Sequence, residues 1–381
     1  MSSPRFRELR RAYGFDEVAI VPGDKTINPD QTNIDFSINN LTFSIPIIAA
    51  AMDAVTDPKF AVTMSKFGGL AVLNLEGIQT KYDNPQDILA EIAATANDKA
   101  TALLQKIYSQ PIKENLVSER IRVVKEAGAA CAVSVTPANT KRLAPIICEA
   151  GADILIVQST VTTARHISKS NQGLLFNRLR ESVSIPIVVG NCVSFSACLE
   201  LMRTGIAAVL VGVGPGAACT SREVLGVGVP QITATMDCAA AREAYMKESG
   251  RYVPVITDGG FRKGGELCKA FVAGADAVML GSVLAQAKEA PGQGYHWGMS
   301  HPHPALPRGT RIKVGTTGSL EQILFGPTSV TDGSQNFIGA LRTAMGICGA
   351  KNIQEMHQAE MVIAPSIITE GKSWQLSLPS C

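Results

Sequence analysis

The sequence predicts a single (β/α)8 barrel, and three observations carry the prediction. Eight short runs rich in β-branched residues alternate with longer stretches of helical pattern. The runs are continuously apolar rather than alternating, as strands buried on both faces of a parallel sheet must be. A unit of helix end, glycine turn and strand recurs, as EAGAACAVSV, EAGADILIV, RTGIAAVLV and VAGADAVML, with the glycine supplying a left-handed helix cap. A plain barrel takes about 250 residues, so a chain of 381 leaves room for insertions within one domain spanning 1–381. The competing architecture is an open doubly wound sheet, which is disfavoured because no GxGxxG follows the first strand.

In chain order the predicted strands are 45–52, 69–74, 130–136, 152–158, 185–191, 207–213, 253–260 and 277–282. Helices fall between them. SFSACLELMRT at 194–204 opens on a serine and stops before Gly205, and the helix at 138–150 stops before Gly151. Two stretches lie outside the repeat. Residues 76–119 follow the second strand and are polar and helix-like. Residues 290–334 follow the eighth strand, are rich in Gly, Pro and Thr, and are expected to form a lid. A helix at 337–348 and an extended tail over about 350–381 close the chain.

Composition narrows the function. Hydrophobic residues make up 46% and charged residues 18%, which suits a large core and argues against disorder. The formal net charge of +2 gives no pull toward nucleic acid or acidic membranes. No apolar run is long enough to span a bilayer, and the charged N-terminus is followed by no secretory core, so the expected location is the cytoplasm. Nine cysteines form no CxxC pair and show no zinc-like spacing. Nearly all read as small core residues in a reducing compartment.

The exception is Cys219, in VGVGPGAACTSREVLGVGVPQ (211–231) after the sixth strand. Glycines and a proline precede it, so the backbone takes conformations that expose amides and carbonyls. A thiol needs help to ionise near neutral pH, and the exposed amides and Arg222 are candidates to give it. A cysteine in such a turn reads equally well as a small buried filler and as a nucleophile. ITDGG (256–260) follows the seventh strand and MLGS (279–282) the eighth. Glycine amides at those two places form the usual phosphate cradle of a barrel, and Asp258 suits a pair of sugar hydroxyls. HWGMSHPHPALPRG brings His296, His301 and His303 together without an acidic or cysteine partner at ligand spacing, so no transition metal is expected.

GPGAACTSREVLGVGVPQ, with VPVITDGGFRKGGELCKAFVAGADAVMLGSVLAQAKEAPG, resembles the core of the IMP dehydrogenase and GMP reductase family. FDEVAIVPG and IPIIAAAMDAVTDPKFAVTMSKFGGLAVLN resemble its opening strand and first barrel turns, so the likeness runs over nearly the whole chain. The likeness is strongest to the IMP dehydrogenase-like branch without regulatory CBS domains, because 76–119 is too short for that pair.

The resemblance implies an NAD-dependent oxidation of IMP to XMP in guanine nucleotide synthesis. Cys219 attacks C2 of the purine, C2 gives up hydride, and the thioimidate is hydrolysed. It implies Ser221 as a catalytic hydroxyl. Met52 and Gly318 would contact the base, Asp258 the ribose, and Gly260, Gly281 and Ser282 the phosphate. Gln158, Ser159, Asn191, Gly212 and Gly214 would line the cofactor side. Carbonyls of Gly214, Gly216 and Cys219 would hold potassium, or Lys372 of a neighbouring subunit would replace it, within a homotetramer or octamer.

The chain also departs from the family. Ala50 and Ala217 stand where serines are expected, Gln158 stands where an aspartate holds the cofactor ribose, and Ser221 replaces threonine. The family's flap carries an Arg-Tyr pair whose arginine activates water, and 320–336 has neither residue. Arg308, Arg311, Glu321 or a relay through Ser221 are the candidates for that role. The rival functions are an NADPH-dependent GMP reductase and a catalytically silent purine nucleotide-binding protein.

Overall fold

A computed structural model describes residues 9–167, 174–299 and 302–365. Eight parallel strands close a barrel: β1 (Ile47–Ala49), β2 (Leu70–Asn74), β3 (Ala132–Val135), β4 (Ile154–Gln158), β5 (Ile187–Cys192), β6 (Ala208–Val211), β7 (Val255–Asp258) and β8 (Ala277–Leu280). The seam closes where β8 pairs with β1, Met279 opposite Ile48. Each predicted run contains one of these strands or most of it.

The continuous apolar runs follow from the two-sided burial. Ile48, Leu70, Val72, Ile154, Ile156, Val188, Leu210, Ile256 and Met279 fill the barrel interior. The alternate positions, among them Ile47, Leu73, Val133, Leu155, Val189, Val209 and Val278, pack outward with the helices. A hairpin of Phe36–Ile38 with Leu41–Phe43 packs Phe36, Ile38 and Phe43 onto the interior set.

A helix follows each strand: α1 (Pro58–Lys66), α2 (Glu114–Glu126), α3 (Pro137–Glu149), α4 (Phe176–Ser182), α5 (Phe195–Arg203), α6 (Gln231–Ser249), α7 (Gly264–Val272) and α8 (Phe337–Cys348). The expected start of α5 is a hydroxyl cap, with Ser194 Oγ accepting from Ala197 N at 3.4 Å. Gly205 lies just past its end at φ +86°.

The stretch 76–119 divides. Its last residues begin α2, whereas Ile78–Lys81, Pro85–Ala94 and Asn97–Tyr108 are extra helices. These build a small core of their own around Trp297. The stretch 290–334 divides as well. Tyr295–His296 pairs with Ile312–Lys313 in a short hairpin. Beyond it, Leu320–Phe325 is helical and Gly333 O accepts from Gly264 N at 2.8 Å, which fastens this part to the side of the barrel. Met361–Ile363 pairs antiparallel with Val18–Ile20. Among the described residues no helix is long and apolar enough to cross a membrane.

Candidate active site

One pocket opens at the C-terminal ends of the barrel strands, where this fold gathers its chemistry. Its floor is glycine-rich backbone. Gly212 ends β6 at φ +150°, and a Cβ there would lie 2.4 Å from Asp258 O, so the β6 and β7 loops approach as closely as they do only because residue 212 is glycine. Gln231 secures the junction, its Nε2 donating to Val211 O at 3.2 Å and Asp258 O at 2.9 Å. Arg222 lies close enough to Cys219 for their charges to interact, while its hydrogen bonds go to the loop backbone. Its Nε donates to Val213 O at 3.1 Å and its Nη2 to Val229 O at 2.8 Å, so it also braces the loop.

Within that loop the half-buried Cys219 points its Sγ at Ser221 Oγ, 3.3 Å away. The cysteine's backbone bridges antiparallel to Gly309. Thr310 N donates to Ala218 O at 3.0 Å and Thr220 N to Arg308 O at 3.4 Å. The nucleophile candidate is therefore held from two sides, by its own loop and by the chain following β8.

Asp258 ends β7, and its Oδ2 accepts from Asn191 Nδ2 at 2.8 Å and Gln158 Nε2 at 3.1 Å. Gln158 Nε2 also reaches Asn191 Oδ1 at 3.1 Å. Burial without a facing cation pushes the carboxyl up to about 6, against the opposing pull of the Asn191 and Gln158 hydrogen bonds. Gln158 Oε1 is buried with no partner among the described residues. A hydroxyl donor brought by a ligand would satisfy it, so the amide that replaces the expected aspartate is suited to a sugar edge.

Gly260, at φ +87°, and Gly281 both line the pocket, from the loops after the neighbouring strands β7 and β8. A Cβ on Gly281 would meet Met52 Sδ at 2.9 Å, so glycine there makes room for Met52. Ser282 Oγ lies 2.8 Å from His296 Nε2. Burial drives the His296 imidazole down to about 4, so it is neutral at physiological pH and orients Ser282 without adding charge.

Met52, Gln158, Ser159, Asn191, Gly212, Gly214, Gly216, Cys219, Ser221, Asp258, Gly260, Gly281 and Ser282 all line this pocket. Gly318 does not. Its carbonyl accepts from Lys288 N at 2.9 Å, and it bridges Ala287 beside the barrel. The Gly-Thr-Thr-Gly stretch is engaged in that connection, and Gly318 stands outside the pocket lining. Lys372 lies outside the described residues.

The expected lid region, 290–334, divides: among its described residues His296, Gly298, Met299, His303, Leu306 and Arg308 line the pocket, and none of 309–334 does. Of the arginine candidates, Arg308 is in the pocket. Arg311 is buried, donates to Ile92 O and to Asn97 Oδ1 at 2.6 Å, and stacks on the Tyr295 ring. Glu321 is exposed on the Leu320–Phe325 helix and does not line the pocket. Sequence reasoning passed over Gly298 and Met299, whose only signal was their place beside a histidine-rich stretch. It also passed over three buried thiols, Cys192, Cys198 and Cys238, whose sulfurs lie within 4.8 Å of one another outside the pocket. Their separation along the chain hides that cluster.

Comparison with known proteins agrees with this fold. Residues 12–301 match the family model described as IMP dehydrogenase / GMP reductase domain. An uncharacterized oxidoreductase of Mycolicibacterium smegmatis is 37% identical over 94% of this chain and 98% of its own length. The inosine-5'-monophosphate dehydrogenase of Cryptosporidium parvum is 26% identical over 96% of this chain and 94% of its own. A crystal structure of an IMP dehydrogenase/GMP reductase-like protein from Corynebacterium glutamicum superposes with a TM-score of 0.89 at 35% identity, covering 94% of this chain and 95% of that one. With a family model spanning most of the chain and relatives matched nearly end to end, this protein belongs to the IMP dehydrogenase / GMP reductase family of oxidoreductases.

Proposed function

We propose that the protein oxidises IMP to XMP with NAD, through a covalent bond between Cys219 and C2 of the purine. The observation that carries this reading is the convergence of a cysteine–serine pair, an isolated carboxylate and two glycine-rich loops on one pocket. The phosphate would sit on the amides of Gly260 and Gly281 and the Ser282 hydroxyl. Asp258 would accept both ribose hydroxyls, and Met52, with Met299, would cover the base. These contacts set C2 beside Cys219 Sγ.

In the first step the Cys219 thiol adds across the C2–N3 double bond, sulfur to C2 and the proton to N3, with Ser221 Oγ in hydrogen-bond contact with the sulfur at 3.3 Å to relay it. Nicotinamide dinucleotide held on the Gln158, Ser159 and Asn191 side supplies a hydride acceptor. Loss of hydride from C2 leaves a thioimidate on Cys219. Water then adds to C2, the carbon–sulfur bond breaks, and XMP and the free thiol result. Atoms and electrons balance as IMP, NAD+ and water going to XMP, NADH and a proton.

Arg308 is the residue we assign to orienting that water. Its place in the pocket, one residue from the Gly309 that pairs with Cys219, supports the choice over Arg311 and Glu321. We also propose a homotetramer, with potassium on the carbonyls of Gly214, Gly216 and Cys219 or Lys372 from a neighbour in its place. Strong activation by added potassium would exclude the lysine. The test of the main reading is NADH formation from IMP and NAD set beside NADPH consumption with GMP. Turnover of IMP is expected. Turnover of GMP alone would make the protein a GMP reductase, and neither, with tight nucleotide binding, a silent binder.

A further inference from the structure

The insertion after β2 packs against a part of the chain nearly 200 residues away, and that contact has a consequence for the site. Its helices surround Trp297 with Ile78, Leu89, Ile92, Leu104, Ile107 and Tyr108. At the centre is a buried polar chain. Trp297 Nε1 donates to Tyr108 Oη at 2.6 Å, and Tyr108 Oη donates to Asp53 Oδ2 at 2.5 Å. Asp53 also accepts from Ile78 N at 3.0 Å and Asn74 Nδ2 at 3.4 Å. Gly77 is what lets the insertion backbone come so close, since a Cβ there would lie 2.0 Å from Asp53 Oδ2. A buried carboxylate left unpaired is costly, so this chain of bonds specifies one arrangement of the three segments.

Both ends of the chain abut the pocket. Asp53 follows Met52, and Trp297 precedes Gly298 and Met299, all three neighbours being pocket-lining. A second grip lies further along. The Arg311 guanidinium donates to Ile92 O and Asn97 Oδ1, both on the insertion. Between Trp297 and Arg311 lie His303, Leu306 and Arg308, which also line the pocket. The insertion thus holds the chain on either side of the pocket's outer wall while touching none of the pocket itself.

We infer that the insertion after β2 is the anchor of that wall, with Tyr108 and Arg311 as positioning residues that set where Met299 and Arg308 stand relative to Cys219. It rests on the proposed chemistry only in taking this pocket as the site. Without the two grips the wall would keep the short hairpin, its backbone bonds to the Cys219 loop, the His296–Ser282 bond and the contact of Met299 Sδ with Ser134 Oγ at 3.8 Å. The insertion is accordingly the place from which the wall is controlled, and any change that loosens its small core is felt at Arg308 first.

The test compares Tyr108→Phe and Arg311→Gln with wild type by hydrogen–deuterium exchange, by the rate of Cys219 alkylation with iodoacetamide, and by IMP affinity from calorimetry. Each variant is expected to raise exchange at least tenfold in peptides from 302–310, to change the alkylation rate severalfold, and to leave strands β3 to β7 unchanged. IMP affinity should fall about tenfold. Trp297→Phe, which removes the wall-side bond and also opens a cavity in the small core, should raise exchange in the same peptides at least as much as Tyr108→Phe. Exchange in 302–310 unaltered in both variants, or raised equally across the barrel strands, would overturn the inference. If wild type binds no IMP, the nucleotide reading fails while exchange and alkylation still decide this one.

Discussion

The two sides of the pocket are held by different means. The floor, made of Gly212–Cys219, Gly259, Gly260 and Gly281, is backbone laid directly on strand ends. Its precision comes from glycines at positive φ and from Gln231 and Arg222 tying carbonyls together. The wall, the described residues from His296 to Arg308, touches the floor by backbone only at its end, where Arg308 O accepts from Thr220 N, and is otherwise held through side chains: Trp297 and Arg311 gripping the insertion, His296 gripping Ser282. Backbone on a barrel rim has little freedom to lose, whereas a side-chain grip can be undone by one substitution. The floor is the natural place for the phosphate and the nucleophile, and the wall for the part of the reaction that differs between relatives.

That contrast can be broken or sharpened by substitution. The largest effect is expected on the floor. Cys219→Ala should reduce turnover to the detection limit without lowering the melting temperature, because the thiol is half-buried and packs no core. Gly212→Ala should follow, with stability falling by about 2–4 kcal/mol on denaturant titration, since the new Cβ meets Asp258 O and the φ of +150° is closed to alanine. A smaller loss would mean that the floor yields more than its backbone suggests.

Asp258→Asn is expected to weaken nucleotide binding at least tenfold in calorimetry while leaving the apoprotein as stable at pH 7.5 as before, or more so. The carboxyl lies near 6 in the folded chain, above its unfolded value of 3.8. As pH falls through 6 the folded state takes up a proton that the unfolded state does not, so this group adds stability on acidification and subtracts it above 6. A shift of that size amounts to at most about 3 kcal/mol. Nucleotide affinity should run the other way and decline below pH 6, as Asp258 loses acceptor capacity. Asp53, also pushed up to about 6 by burial, titrates in the same range, so the profile of Asp258→Asn isolates its share.

The smallest effect belongs to the wall. Arg308→Lys should slow turnover by roughly tenfold to a hundredfold while sparing IMP affinity, as expected for a group acting after the substrate is captured. Stopped-flow measurement should then show that hydride transfer is unchanged and that hydrolysis is slowed. Equal losses in both steps would move Arg308 from chemistry to positioning.

The same contrast explains what could be read from the sequence. Strand runs such as 152–158 and 207–213 are legible because two-sided burial makes them apolar throughout, and the Cys219 loop through its resemblance to a known family, since the glycines alone leave filler and nucleophile equally open. The wall was not legible in the same way. His296, Gly298, Met299 and Arg308 follow no period, and their grouping depends on Tyr108 and Asp53, distant in the chain. Gly318 was placed at the base by likeness to relatives, yet its carbonyl is engaged by Lys288 beside the barrel. Arg222, close to Cys219 in sequence, also braces carbonyls, because a strand-to-helix turn leaves backbone acceptors that need donors.

The measurement that bears most directly on the central claim is the intact mass of the protein quenched during turnover with IMP and NAD. The account predicts a population heavier by one purine nucleotide, located by peptide mapping on Cys219 and absent from Cys219→Ser. Tight IMP binding with no such adduct, in a protein that leaves NAD unreduced, would contradict it.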